Sequence, residues 1–353
     1  MISSSLAESI RKLGDAGPIS VMPDYFVDRF VRIESIDDLF AAVRKKSAEG
    51  GGGSIRRVNQ SEVKGGNAVN LAYALAKFGA EVNLFGIASG LPAETLLATF
   101  RNLPNVHIEL IDGKAGFTIA LEFFEHGRHA NVMISDAGDL AAFDGTSISQ
   151  HSWQLVSKSK MVCVLNWAAN RKGNDLLERV FSFARRQRLL TFFDPADVTE
   201  LADLLPDLRE RVLKKNMVDF ISINDNEARI ICKTLFGFTL PQDYGEDDLK
   251  RAVRLLSNES KAIVDLHTRT MSVSCIARDC TLVHCHKVQQ RTVTGAGDVW
   301  DAADITGHML GWDAKTRLEF ANASAGLYVS RETAEPPTVD EALGFLEGHV
   351  TYY

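Results

Sequence analysis

The second half of the chain alternates short apolar runs with longer amphipathic stretches. Short apolar runs suit buried parallel strands, and apolar positions that recur three and four residues apart suit helices, so the pattern predicts alternating strands and helices. The predicted strands are Met161–Leu165, Leu189–Phe193, Val218–Ile223 and Ala262–Leu266, and the predicted helices are Gly173–Arg188, Thr199–Lys215, Asn226–Phe236 and Glu246–Ser257. This alternation requires right-handed crossovers and a buried parallel sheet.

Polar residues follow three of these predicted strands directly. Asn166, Asp194 and Asn224 each stand just after an apolar run. Ligands of parallel sheets bind beyond the carboxyl ends of the strands, so these residues mark the edge where a site is expected.

The first half of the chain has a different pattern. Ile108–Ile111 and Phe117–Phe124 are predicted to be strands joined by a turn at Asp112–Gly113, with His129–Ile134 pairing beside them. The polar residues that flank these strands do not belong to a strand–helix alternation. A small accessory sheet that covers the main domain is the natural interpretation.

The composition excludes several classes of protein. The 353 residues are 45% hydrophobic, and 39 Lys and Arg against 46 Asp and Glu give a net charge of −7, which argues against a nucleic-acid partner. The N-terminus has no apolar signal-peptide core, and no apolar run is long enough to span a bilayer, so no membrane association is expected. Five cysteines in a chain of this length favour a reducing, cytoplasmic location over a disulfide framework.

A cluster of cysteines and histidines raises the question of zinc. Cys280, His284, Cys285 and His286 are ligand types that zinc accepts. Their spacing matches no C-x-x-C pair, and on a strand the two histidines face away from Cys285. Metal binding by this cluster is therefore disfavoured.

The strongest candidate for chemistry is the segment Thr294-Gly295-Ala296-Gly297-Asp298, which leads into a predicted helix. Its glycines allow a tight turn whose backbone N–H groups point into one concavity, and a helix N-terminus adds a dipole that favours phosphate. An aspartate there can take a proton from a hydroxyl group during phosphoryl transfer. The alternative is a simple glycine turn in which Asp298 caps a helix.

A second glycine-rich segment, Gly65-Gly66-Asn67-Ala68-Val69-Asn70, also opens a predicted helix. Paired glycines allow close approach of the backbone to a ligand, and Asn70 offers both a donor and an acceptor to a hydroxyl group. Taken alone, this segment is equally consistent with an ordinary helix start. Together, the two segments suggest one site for an acceptor and one for phosphate.

This pair of motifs resembles the two hallmark motifs of the ribokinase-like (PfkB) carbohydrate kinases, over about residues 19–339. The resemblance implies a Rossmann-like three-layer α/β fold with a mostly parallel central sheet and a small β-sheet lid. It predicts one domain over residues 1–353, with lid segments at about 22–60 and 107–135. It also implies a possible homodimer through the lid.

The same resemblance implies roles for individual residues. Asp298 is similar to the family's catalytic base, and Gly295, Ala296 and Gly297 to its anion hole. The residues similar to the acceptor-binding positions are Asp28, Gly65, Gly66 and Asn70. Those on the nucleotide side are Asn224, Glu227, Thr294 and Asn322, with Glu227 expected to hold Mg²⁺ through water. The local alternatives are a surface carboxylate for Asp28, a helix cap for Asn224 and an exposed position for Asn322.

Two departures from the family's pattern concern the donor side. Thr292 stands where the family usually has an acidic residue, so dependence on a monovalent cation is doubtful. The segment Asp265–Thr270 replaces the family's Thr-x-Gly nucleotide loop, so the preferred nucleotide is open.

The expected function is transfer of the γ-phosphoryl group of ATP, with Mg²⁺, to a hydroxyl of a sugar or related polyol. The alternatives are a nucleoside kinase of the same fold and a non-catalytic sugar-binding regulator. A dinucleotide-dependent oxidoreductase would need G-x-G-x-x-G directly after a first strand, and the sequence has none there.

Overall fold

The fold is taken from a computed structural model that describes residues 2–125, 128–291, 294–348 and 351–353. The strands are β1 Ile19–Met22, β2 Phe26–Arg32, β3 Asn59–Gly65, β4 Val82–Ile87, β5 Val106–Ile111, β6 Gly116–Glu125, β7 Arg128–Asp136, β8 Met161–Leu165, β9 Leu190–Asp194, β10 Phe220–Asn224, β11 Ile263–His267, β12 Met271–Ile276 and β13 Asp279–His284. The α-helices are α1 Ile2–Ile10, α2 Ile36–Ala48, α3 Asn67–Lys77, α4 Gly90–Thr99, α5 Gln150–Ser157, α6 Gly173–Gln187, α7 Leu205–Leu208, α8 Asp225–Phe236, α9 Glu246–Ser260, α10 Ala296–Met309, α11 Ala314–Val329 and α12 Val339–Gly348. Among these residues, no helix has the length and apolar character needed to cross a bilayer.

The main sheet has nine strands in the order β13-β12-β11-β10-β9-β8-β1-β4-β5. Seven neighbouring strands, from β11 to β5, are parallel, and β12 and β13 add an antiparallel hairpin at one edge. The side chains of β8 show why the sheet is buried on both faces. Met161, Cys163 and Leu165 enter one hydrophobic core, and Val162 and Val164 enter the other.

Helices cover both faces of this sheet. Leu71 of α3, Val299 of α10 and Leu318 of α11 pack in the first core. Leu177 of α6 and Val253 of α9 pack in the second. The predicted three-layer α/β architecture with a mostly parallel sheet is therefore confirmed.

A second, four-stranded sheet has the order β3-β2-β6-β7. The pairing predicted for His129–Ile134 is confirmed, because β7 runs antiparallel to β6. The strand predicted at Ile108–Ile111 is confirmed, but its place in the accessory sheet is wrong, because β5 pairs in parallel with β4 and extends the main sheet. The chain after Asp112 crosses from the main sheet to the small sheet. A turn motif in the sequence predicts where the chain reverses, but it does not show whether the strands before and after it belong to the same sheet.

The predicted helix Thr199–Lys215 is also broken into pieces. A 3₁₀ segment, Val198–Leu204, leads into the short α7, and a π-turn, Arg209–Leu213, follows. Pro206 lies in the first turn of α7. Proline has no backbone N–H and clashes with the preceding turn, so the helix restarts there.

One pair of cysteines differs from the expectation of free thiols. Cys275 and Cys280 face each other across the β12–β13 hairpin and form a disulfide. Cys285 instead contacts the Thr268 carbonyl, and His284 lies 3.3 Å from Glu246. The pairing depends on the register of the hairpin, which spacing in the sequence does not specify.

Candidate active site

Asp298 lies in the first turn of α10 and is buried, with 5% of its surface exposed. Its carboxylate accepts a hydrogen bond from Asn67 Nδ2 at 3.1 Å and one from Asn70 Nδ2 at 3.0 Å. Both asparagines belong to the first turn of α3. The two glycine-rich motifs, more than two hundred residues apart, therefore meet at one carboxylate.

Burial raises the pKa of Asp298 well above its ordinary value, and the negative charge of Asp194 raises it further. The hydrogen bonds from Asn70 and Asn67 act in the opposite direction, because they stabilise the ionised form. A carboxylate with a raised pKa is a stronger base than an exposed one. This is the property that a general base for a hydroxyl group requires.

The turn before α10 is held by Gly295, which has φ of 84°, a left-handed conformation that side chains disfavour. Tyr328 Oη donates a hydrogen bond to the Thr294 carbonyl at 2.8 Å. A Cβ atom on Gly295 would lie 2.9 Å from that hydroxyl oxygen. Glycine is thus required for both conformation and space, and Ala296 and Gly297 follow as the first helical residues, whose N–H groups have no acceptor within the helix.

Asp24 supports the other half of the site and was missed in the sequence. It is fully buried just after β1 and accepts hydrogen bonds from the backbone N–H groups of Asn67, at 2.7 Å, and Ala68, at 2.9 Å. Asn166 Nδ2 donates a third at 3.0 Å. Asp24 therefore fixes the start of α3, and with it the two asparagines that hold Asp298; its place directly after a strand was the available signal.

Asp28 and Gly65 come together on neighbouring strands of the small sheet. Asp28, on β2, is half-buried, and a Cβ atom on Gly65 would overlap its carboxylate. Burial raises the pKa of Asp28 to about 6, against a hydrogen bond with Thr118 that lowers it. Asp28 is thus not a fully exposed surface carboxylate. Gly66, the next residue, has φ of 96° and lies against Asp24.

Asn224 and Glu227 form a reciprocal cap at the start of α8. The Asn224 side-chain oxygen accepts from the Glu227 N–H at 3.0 Å, and Glu227 Oε2 accepts from the Asn224 N–H at 2.8 Å. Glu227 is buried, and burial followed by the charge of Asp194 raises its pKa well above the ordinary value. The helix cap that was the local alternative for Asn224 is thus observed. Glu227 also belongs to the buried acidic group around Asp194.

Asp301 and Asp304, which follow Asp298 on α10, are both buried. Asp301 accepts a hydrogen bond from Ser222 Oγ at 2.5 Å and lies beside Asp194. Asp304 instead forms an ion pair with Arg317, away from the mouth of the site. Of these two aspartates, only Asp301 therefore adds a carboxyl group to the acidic residues close to Asp298.

Asn322 lies apart from this group, on α11. It is 3% exposed, so the exposed alternative is wrong. Its Oδ1 accepts from Trp300 Nε1 at 2.9 Å, and it lines a cavity of about 310 Å³ beside His284, Tyr352 and Tyr353. Thr292, on which the doubt about a monovalent cation rests, lies outside the described residues.

The sequence profile of the pfkB family of carbohydrate kinases matches residues 32–341. The chain belongs to this family. Membership makes the protein an ATP-dependent carbohydrate kinase, as the pair of motifs suggested.

Several known proteins are similar to this kinase. It is 21% identical over 291 residues to a 5-dehydro-2-deoxygluconokinase of Geobacillus thermodenitrificans, covering 80% of this chain and 84% of that protein. The structure of Arabidopsis thaliana ribokinase complexed with ribose and ATP matches with a TM-score of 0.70 and 18% identity, over 94% of this chain and 99% of that one. Adenosine kinase from Sinorhizobium meliloti matches with a TM-score of 0.71 and 19% identity, over 93% of this chain and 98% of that one. At these identities the structural matches establish the fold.

Proposed function

We propose that the kinase transfers the γ-phosphoryl group of ATP to a hydroxyl of a sugar or related polyol, with Asp298 as the general base. The observation that carries this proposal is the buried Asp298 carboxylate, held by Asn67 and Asn70 at the N-terminus of α10. Asp298 takes the hydroxyl proton as the new O–P bond forms and the bond to ADP breaks. The N–H groups of Gly295, Ala296 and Gly297 stabilise the charge on the phosphoryl oxygens.

The acceptor class is tested by measuring ADP release with a panel of sugars, sugar acids and nucleosides. The curated relative named above acts on a sugar derivative, which favours that class over nucleosides. We expect turnover with a sugar or sugar acid. Turnover with nucleosides alone would favour the nucleoside-kinase alternative, and acceptor binding without ADP release would favour the regulator.

Asp28, Gly65, Gly66 and Asn70 are proposed to form the acceptor side. Asp28→Asn should lower kcat/KM for the acceptor by roughly ten- to a hundredfold, because a lost charge-assisted hydrogen bond costs about 1–3 kcal/mol. The KM for ATP should change little. Saturation curves that vary one substrate at a time measure both values, and an equal loss for both substrates would contradict the assignment.

The nucleotide side is proposed to include Asn224, Glu227, Thr294 and Asn322, with Glu227 ordering Mg²⁺ through water. Glu227→Gln keeps an oxygen that can accept from the Asn224 N–H but removes the charge. It should raise the Mg²⁺ concentration needed for half-maximal rate, and excess chelator should stop turnover of the wild type. A Mg²⁺ titration checks this, and an unchanged curve for the variant would remove Glu227 from the metal site.

The rate should depend on pH through Asp298. Because the ionised form is the active one and its pKa is raised, kcat/KM should increase with pH up to a value well above that of an ordinary aspartate. Asn67→Ala removes a hydrogen bond to the ionised form, so the acidic limb should move to higher pH. Asn258→Ala, at an exposed position on α9, is the control and should leave the profile in place.

We also propose that the small sheet closes over the acceptor as a lid and pairs two copies of the chain. Support comes from apolar side chains exposed on this sheet, including Ile119 and Ile134, which are 44% and 58% exposed and face each other across β6 and β7. Sedimentation velocity of the wild type against Ile119→Lys tests this; a monomeric wild type would contradict it. A cytoplasmic location stays a prediction.

A further inference from the structure

A second cavity, of about 540 Å³, lies at the edge of the main sheet opposite the candidate active site. Strand β11 relates the two places. A Cβ atom on Gly297 would lie 3.4 Å from His267 at the carboxyl end of β11, whereas Ile263 at its amino end lines the cavity. His308, which also lines the cavity, is ten residues after Asp298 on α10, about 15 Å along the helix.

The floor of this cavity is polar, and its charged groups form ion pairs with one another. Arg317 and His308 contribute to it, and both pair with the buried carboxylates of Asp304 and Asp265. Arg317 Nη2 also donates to Ser274 Oγ at 3.0 Å. Arg317 Nη1 also lies 2.7 Å from His308 Nε2, so the two basic groups and the two carboxylates form one cluster, and the floor adds no excess of positive charge.

The rim of the cavity decides its charge. Arg254 on α9 and Arg278 in the β12–β13 turn are exposed and line the opening. Within the described ranges, neither guanidinium forms an ion pair or a hydrogen bond in the structure. Asp279 is the one acidic side chain among the described residues that line the cavity. Two guanidinium groups against one carboxylate leave an excess of positive charge at the opening.

The turn that carries Arg278 is covalently closed. The Cys275–Cys280 disulfide joins the two strands on either side of it, and Cys280 itself lines the cavity. A closed turn holds its side chains within a smaller range of positions, which lowers the entropic cost of binding a ligand. The remaining walls include Ile263, Ile276 and Trp312, which offer apolar surface.

We infer that this cavity binds a small organic anion, with its phosphate or carboxylate between Arg254 and Arg278 and its carbon skeleton against Trp312 and Ile276. Its volume lies within the range of small-molecule sites. A guanidinium group can donate two parallel hydrogen bonds to two oxygens of one phosphate or carboxylate group, so arginine is well suited to binding such an anion. The site uses none of the residues assigned to phosphoryl transfer, so it is separate from the proposed function.

The test is calorimetric titration of the full chain with 3-phosphoglycerate, a probe with both anionic groups. We expect saturable binding with a Kd of roughly 1 mM or tighter. The variant Arg254→Gln/Arg278→Gln should bind at least about tenfold more weakly, since two charge-assisted hydrogen-bond donors are lost. The matched control Arg101→Gln/Arg185→Gln removes two exposed arginines elsewhere and should bind as the wild type does.

Three outcomes would overturn the inference. One is the absence of saturable binding to the wild type, and another is equal weakening by the two double variants. The third is binding of glycerol, a neutral molecule, as tightly as 3-phosphoglycerate, which would show that the charge of the rim does not select the ligand. Because the readout is binding rather than turnover, it does not depend on whether the proposed phosphoryl transfer is correct.

Discussion

Replacing Asp298 by asparagine is expected to lower kcat by roughly 10²–10⁴, the usual contribution of a positioned general base. The amide has nearly the same shape, so the turn at Gly295 and the start of α10 should remain. It cannot accept the hydroxyl proton, however, so the acceptor must lose that proton to water. Steady-state rates at saturating substrates, together with a nucleotide-binding titration, measure the chemical loss separately from binding.

Two comparisons make this result specific. Asp340→Asn, the same chemical change at an exposed position on α12, should leave kcat unchanged. The unfolding midpoint of Asp298→Asn should change little, because relief of the repulsion from Asp194 offsets the hydrogen bond that the amide nitrogen cannot accept from one of the two asparagines. A kcat within a few-fold of the wild type, at equal folded fraction, would remove Asp298 from the mechanism.

Replacing Arg317 by methionine is expected to destabilise the protein by roughly 3–5 kcal/mol, the range for breaking a buried ion pair from one side. The Arg317 side chain is 3% exposed and pairs with Asp304 and with Asp265, whose nearest oxygen lies 3.4 Å away. Methionine fills similar space but leaves two buried carboxylates with His308 as their remaining charged partner. Urea unfolding followed by circular dichroism gives the free energy of unfolding.

The neighbouring residue Lys315 supplies the control. Its side chain is 71% exposed and forms an i,i+4 pair with Glu319, so Lys315→Met should cost less than about 1 kcal/mol. If Arg317→Met costs no more than Lys315→Met, the buried cluster does not contribute to stability as described. The same result would also weaken the view that the floor of the second cavity is held by these pairs.

Local features of this site could be predicted because they depend on neighbouring residues. The strand Met161–Leu165 was predicted with its exact bounds, since five consecutive apolar residues leave no polar face for solvent. Gly295 was expected at a tight turn before a helix, and it has positive φ there. Similarly, a polar side chain after each buried strand indicated the edge of the sheet where Asp194 and Asn224 lie.

The sequence by itself therefore determined the α/β alternation, the two glycine-rich helix starts and the kind of chemistry they suit. Only the tertiary structure decided that Asn67 and Asn70 hold Asp298, that Asp24 caps α3 and that Arg317 pairs with Asp304 and Asp265. It also decided that β5 extends the main sheet and that Cys275 meets Cys280. The physical reason is the same in each case. Strand register and side-chain pairing between distant segments depend on how whole elements pack, and periodicity within one segment carries no information about its partner.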